Sequence, residues 1–198
     1  MSDSETLSVY AARADDYAQM VESEGPGRHL SAFIEALPSG ARVLDLGCGP
    51  GTAAVHMANA GLRVDAWDAS PEMIDLVVKT PGLDARVAGF DALSAEGAYA
   101  GIYANFSLLH AIKADMPGHL ARIARALLPK GLFHIGMKTG TGARRDNLGR
   151  FYAYYTDAEL TGLLGEAGFT VFSRATGSEP GLDGVDAPWI IMRARRND

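Results

Sequence analysis

Residues 43–58 read VLDLGCGPGTAAVHMA: an apolar strand runs into Asp45, glycines follow at 47, 49 and 51, and a helix-forming stretch begins at Thr52. A strand that turns directly into a helix belongs to a crossover unit, whose helix folds back over a parallel sheet. The rest of the chain repeats this alternation. RVLDL (42–46) leads to a helix from Thr52 to about Asn59, and LRVDAW (62–67) leads to one with Ser70 as N-cap and Pro71 in its first turn. Strands are expected at DARVAG (84–89) and YAGIYANF (99–106), then a helix over 116–128 and a fifth strand at GLFHIGMK (131–138). Thr156 and Glu159 form a capping box for a last helix that ends near Gly168. FTVFSR (169–174) and APWIIMRA (187–194) read as two closing strands, antiparallel neighbours.

This pattern predicts an α/β fold, a Rossmann-like doubly wound sheet of about seven strands, mostly parallel with an antiparallel final strand. A single domain over 1–198 is expected, with 38–198 as the core and 1–37 as a helical N-terminal cap. In the cap, Val9, Ala12, Ala14 and Tyr17 make an inward stripe. A net charge of −6 leaves no broad basic footprint for nucleic acid. No window approaches the roughly 18 consecutive apolar residues of a membrane span, and MSDSETLSVY has no basic-then-apolar leader pattern. The single cysteine, Cys48, excludes an internal disulfide and reads as a packing residue. These features predict a cytoplasmic protein, monomer or homodimer, acting on a small molecule, without nucleic-acid or membrane partners and without a metal.

In doubly wound sheets, ligands sit at the carboxyl ends of the strands, where strand order reverses. Asp45, Asp68 and Asp91 stand, evenly spaced, at or just beyond the ends of the first three strands, and are expected to face one cleft. Three acids around a glycine loop repel a pyrophosphate and suit a ligand with positive charge and hydrogen-bond donors. Thr52 also occupies the third glycine's place in the dinucleotide fingerprint, which disfavours a nicotinamide-dependent oxidoreductase.

Five segments, DLGCGPG, WDASPEM (67–73), AGFDA (88–92), NFSLLH (105–110) and LLPKGLF (127–133), together resemble the class I S-adenosylmethionine-dependent methyltransferases over roughly residues 40–175. In LLPKGLF, Lys130 stands where a glycine is more common. The resemblance implies S-adenosyl-L-methionine as cofactor and S-adenosyl-L-homocysteine as product. It implies that Asp45, Gly47 and Gly49 hold the methionyl end and Asp68 accepts from the ribose hydroxyls. Ala69 and Met73 would pack on the adenine, Asp91 accept from its amino group beside Phe90, and Asn105 line the site. Tyr10 and Tyr17, seven apart and near one helical face, resemble the family's closing N-terminal helix.

His110 follows strand four, where acceptor should meet sulfonium, and is the candidate general base; a structural role is the competing reading. His29, His56, His119 and His134 carry no such positional argument and read as structural or surface residues. After strand five the segment KTGTGARRDNLGR (138–150), read as a loop, carries Lys138, Arg144, Arg145 and Arg150, and the run FYAYY (151–155) with Tyr154 follows, a candidate grip on an anionic or aromatic acceptor. The acceptor pocket is expected from 1–37, 138–155 and the segment after strand four. ANFS (104–107) lacks the motif that gathers an exocyclic amino group, and no Pro-Cys pair supports cytosine chemistry, so a small acceptor is expected. The alternative is a catalytically inactive S-adenosylmethionine-binding regulatory or scaffold protein.

Overall fold

The computed structural model describes residues 3–21, 25–78 and 83–198. Helices α1 (Ser4–Ala12), α2 (Ala14–Val21) and α3 (Arg28–Glu35) precede the alternating core of β1 (Arg42–Leu46), α4 (Thr52–Asn59), β2 (Arg63–Asp68), α5 (Pro71–Val77), β3 (Asp84–Val87) and β4 (Tyr99–Asn105). There follow α6 (Met116–Ala126), β5 (Leu127–Lys138), the short strands β6 (Ala143–Arg145) and β7 (Phe151–Ala153), α7 (Asp157–Glu166), β8 (Phe169–Pro180) and β9 (Asp186–Arg196). Seven strands form one sheet in the order β3-β2-β1-β4-β5-β9-β8. The first five run parallel, and β9 lies antiparallel between β5 and β8. The last strand of the chain is therefore inside the sheet and β8 forms its edge.

Both faces of the sheet are covered, so its central strands are apolar almost without interruption. Alternation along β1 sends Val43 to a cluster with Phe33, Met57 and Ile74, and Leu44 and Leu46 to a second with Ile123, Phe133 and Leu160. On the first face, Gly101 lets α3 approach closely, since a Cβ there would stand 2.8 Å from Cζ of Phe33. Ser70 Oγ accepts from the Met73 N–H at 3.3 Å, and Thr156 Oγ1 from the Glu159 N–H at 3.2 Å. The Glu159 carboxylate pairs with Lys113 at 2.7 Å. Lys130 sits at φ +60, a left-handed conformation that explains the usual glycine and costs an L-residue about 1 kcal/mol.

Two expectations need correction. The cap helix is interrupted at Arg13 (φ −127, ψ 25), so Ala12 is exposed and the inward residue of α1 is Thr6, 3% exposed. The segment read as a loop contains the β6–β7 hairpin, whose turn is closed by Asp146 Oδ1 accepting from the N–H groups of Leu148 and Arg150. An aspartate at the turn start and Gly149 at φ +91 were the available signals.

Candidate active site

The glycine turn between β1 and α4 has φ +77, +53 and +87 at Gly47, Gly49 and Gly51. Gly47 is also sterically obligatory, because a Cβ there would lie 2.3 Å from Cβ of Ser107. The turn wraps the end of β2: the N–H groups of Gly47 and Cys48 donate to Trp67 O at 2.7 and 2.9 Å. Asp68 closes it, its Oδ2 accepting from the Gly49 N–H and its Oδ1 from the Ser70 N–H, both at 2.9 Å. Burial pushes the Asp68 carboxyl up from its ordinary range, and these N–H groups oppose that shift. Each oxygen keeps lone-pair capacity for a ligand.

Beside this turn lies a cavity of about 540 Å³ at the carboxyl ends of β1, β2, β3 and β4, where the strand order reverses. Asp68, Ala69, Met73 and Phe90 line one part of it together with Gly47 and Gly49. Tyr17 and Tyr10 cover it from the cap, with ring centroids 5.2 Å apart, and a Cβ on Gly49 would come within 3.3 Å of the Tyr17 ring. Asn105 and His110 line the wall beyond β4. Arg28 is the one lysine or arginine among the described lining residues, against Asp3, Asp68 and Glu179. That balance, with a shelf cleared of side chains, fits a nucleoside carrying positive charge and no phosphate.

His110 is held in one tautomer. Phe151 O can only accept, so the ring proton is on Nδ1, 2.7 Å from it, and Nε2 accepts a hydrogen bond from the Tyr10 hydroxyl at 3.0 Å. Arg150 Nη1 in turn donates to the Tyr10 oxygen at 3.2 Å. Burial is the main cause that pushes the His110 pKa down to about 4, so the ring is neutral near pH 7.

A methyltransferase-domain family model matches residues 18–174, most of the chain. The chain belongs to the methyltransferase-domain family. Its resemblance to the S-adenosylmethionine-dependent class I enzymes, read from the motifs, is thereby confirmed. The methyltransferase domain is 27% identical to the Burkholderia thailandensis 1,6-didemethyltoxoflavin N1-methyltransferase, solved with 1,6-didemethyltoxoflavin and S-adenosylhomocysteine. That superposition has a TM-score of 0.78 over 98% of this chain and 88% of the other. Over 75 residues, 35% of this chain, it is 39% identical to a ubiquinone biosynthesis O-methyltransferase from Xanthomonas axonopodis pv. citri. Over 75 residues, 36% of this chain, it is 40% identical to a cypemycin N-terminal methyltransferase from a Streptomyces species. These matches span only 30% and 31% of the two curated relatives.

Several expected positions fall elsewhere than the cavity. Of the three strand-end acids only Asp68 lines it. Asp45, 3% exposed, is buried beneath the turn: it accepts from the Ala54 N–H, while its Oδ2 has no partner among the described residues. Asp91 is exposed in the one-turn helix after β3 and does not line the cavity. Lys138, Arg144, Arg150 and Tyr154 are not brought to it either. Arg150 is spent on Asp146, 2.6 Å away. Lys138 lies over the Tyr152 ring and the exposed Arg144 over Tyr154, with 4.3 and 4.5 Å to the centroids. The hairpin turns these cations toward one another's aromatic faces and the cap, because Arg145 grips Asp3 at 2.9 Å and Thr6 Oγ1 accepts from the Phe151 N–H at 2.8 Å.

The wall expected from 138–155 is supplied instead by the β8–β9 pair, through Glu179, Trp189 and Ile191, with His29 from α3. His134, fully buried, donates from Nε2 to Asn105 Oδ1 at 3.1 Å and so orients a lining residue. Phe106 lines the cavity at φ +56, a conformation costly for a bulky residue and commonest at functional sites. Its aromatic identity next to the Asn105 motif position was the one sequence signal for it.

Proposed function

We propose that this methyltransferase domain moves a methyl group from S-adenosylmethionine to an oxygen or nitrogen of a small molecule, as one unit with residues 1–37 as its cap. The observation that carries the reading is a single cavity continuous from Asp68 and the glycine turn to His110. Asp68 accepts from the ribose hydroxyls, Ala69, Met73 and Phe90 pack on the adenine, and the methionyl end lies on Gly47 and Gly49 above buried Asp45. When bound, the cofactor supplies an already activated methyl group on a sulfonium. The residues of this chain then align the acceptor and keep water out. Tyr10 and Tyr17 supply the cover. His110 Nε2 accepts from the Tyr10 hydroxyl, so the proton released by the acceptor as it is methylated passes to the Tyr10 oxygen while the Tyr10 proton passes to Nε2. The curated relatives are named for O- and N-terminal transfer and the solved one for ring N1 transfer, which supports an O or N acceptor here. No helix among the described residues is long and apolar enough to cross a membrane.

Asp68→Ala should weaken S-adenosylhomocysteine binding by roughly 1–3 kcal/mol, through loss of charge-assisted hydrogen bonds. Calorimetric titration checks this, and an unchanged affinity removes Asp68 from the ribose site.

His110→Ala should leave that affinity intact and lower turnover by about 10²-fold or more. With a folded pKa of about 4, the acid limb belonging to His110 should appear only as pH falls toward 4. S-adenosylhomocysteine release from a panel of hydroxyl and amine acceptors is the assay. Wild-type turnover in the variant returns His110 to a structural role. No turnover by either protein with any acceptor favours the non-catalytic cofactor-binding alternative.

A further inference from the structure

Away from the glycine turn, the cavity wall is aromatic and carries an unanswered donor. Trp189 on β9 lines it at 7% exposure, yet its Nε1–H has no partner among the described residues. A buried indole N–H is almost always paired, because leaving it so forfeits about 1–3 kcal/mol. The ring is held in place by design of the sheet. Its cross-strand partner is Gly177, and a Cβ there would lie 2.3 Å from Cζ2 and 2.7 Å from Cε2 of the indole. Only a glycine lets the indole lie across β8 in this way.

Two further rings flank it. His29 meets Trp189 edge-on at 5.9 Å and 84°, and Phe106 at 6.3 Å and 79°. Phe106 takes this position from a left-handed backbone, φ +56, anchored by its N–H donating to Gly136 O at 3.0 Å. Asn105, its neighbour, has its Oδ1 occupied by the His134 Nε2–H, which leaves the carboxamide nitrogen as the group able to donate into the cavity.

We infer that Trp189, Phe106, His29 and Asn105 form a slot for a planar heteroaromatic acceptor bearing a carbonyl or ring-nitrogen lone pair, which accepts a hydrogen bond from the Trp189 indole N–H. This rests on the methyltransferase reading and names the substrate class for that same site. Flat rings suit mutually perpendicular aromatic walls, through stacking on one and edge contact with another. The Trp189 indole N–H and the Asn105 carboxamide N–H groups are both neutral donors, and they select for lone pairs on the ligand. Arg28 is the one lysine or arginine among the described lining residues, which also include Asp3, Asp68 and Glu179, and that balance gives a polyanion no foothold.

The test uses 4-quinolone, planar with a carbonyl, and naphthalene, of similar outline with no acceptor. Each is titrated into the full chain with and without S-adenosylhomocysteine, alongside Trp189→Phe, which keeps a ring and removes the N–H. Wild-type protein should bind 4-quinolone more tightly than naphthalene. The variant should lose about tenfold for 4-quinolone, one hydrogen bond's worth, and nothing for naphthalene. Gly177→Ala, which displaces the indole without removing its N–H, should lose 4-quinolone binding as well. No binding of 4-quinolone to wild-type protein, or equal losses for both probes, overturns the slot. The separate titration with S-adenosylhomocysteine alone judges the cofactor reading: a protein that binds 4-quinolone selectively but not S-adenosylhomocysteine keeps the slot and loses the methyltransferase assignment.

Discussion

Arg150→Met is expected to lower the unfolding free energy by about 3–5 kcal/mol, because it leaves the Asp146 carboxylate buried without its counter-charge. The side chains of the pair are 2% and 6% exposed. Arg150 Nη2 and Nε both donate to Asp146 Oδ2, at 2.6 and 2.8 Å. The same guanidinium lies 5.4 Å from the Tyr10 ring centroid and 5.3 Å from that of Tyr152. It therefore joins the β6–β7 hairpin to the cap, and its loss should also loosen Tyr10 over the cavity. Burial pushes the Asp146 carboxyl up, but Arg150 and backbone N–H groups outweigh it and hold the carboxyl below its ordinary range. The stability so contributed is present above the unfolded-state pKa and lost as pH falls through the folded one. Urea unfolding of Arg150→Met, and of the double variant with Asp146→Asn, measures the effect. Partial recovery in the double variant identifies the stranded charge as the cause. A loss below about 1 kcal/mol in the single variant would mean that the pair is hydrated in solution.

The second large effect concerns Asp45. Burial, and next to it the charge of Asp68, push its pKa from 3.8 up to about 7. A raised folded pKa means that the folded protein holds the proton more tightly than the unfolded chain. The stability this gives is complete below the unfolded value and is lost as pH rises from about 4 toward 7. The accumulated difference is on the order of 4 kcal/mol. Asp45→Asn, neutral at every pH, should therefore gain on the wild-type cofactor-free protein steadily across that interval. Urea melts of both proteins from pH 4 to pH 8 give the two curves, and parallel curves would show that Asp45 ionises in the fold as freely as in water. A cation bound above the turn relieves the same cost, so sulfonium binding should release a proton near pH 7 in the wild-type protein and none in Asp45→Asn.

The glycine turn, the Ser70–Pro71 start of α5 and the Thr156 cap of α7 were legible from the sequence because each is decided within a few residues. Hydrophobic period, a capping hydroxyl and a glycine able to take positive φ are short-range properties, and the strand–helix alternation pointed to a mostly parallel sheet. The break at Arg13 was not legible, since the contacts that hold α1 apart come from the hairpin, with Arg145 on Asp3 and Phe151 on Thr6. Tyr10 and Tyr17 nevertheless meet over the cavity, as their spacing suggested, although they lie on two helices.

Residue type and position along the chain were enough to identify the family, the cofactor class and Asp68 as a cavity residue. They did not distinguish Asp68 from Asp45 and Asp91, nor Arg150 from a solvent-facing arginine. That distinction is one of desolvation: a carboxylate or guanidinium faces a ligand, water or a buried partner according to what distant segments place around it. Tertiary structure alone brought Arg150 to Asp146 and Tyr10, inserted β9 between β5 and β8, and so delivered Trp189 to the wall opposite the glycine turn. Local backbone chemistry wrote the scaffold, and long-range burial chose which side chains it presents.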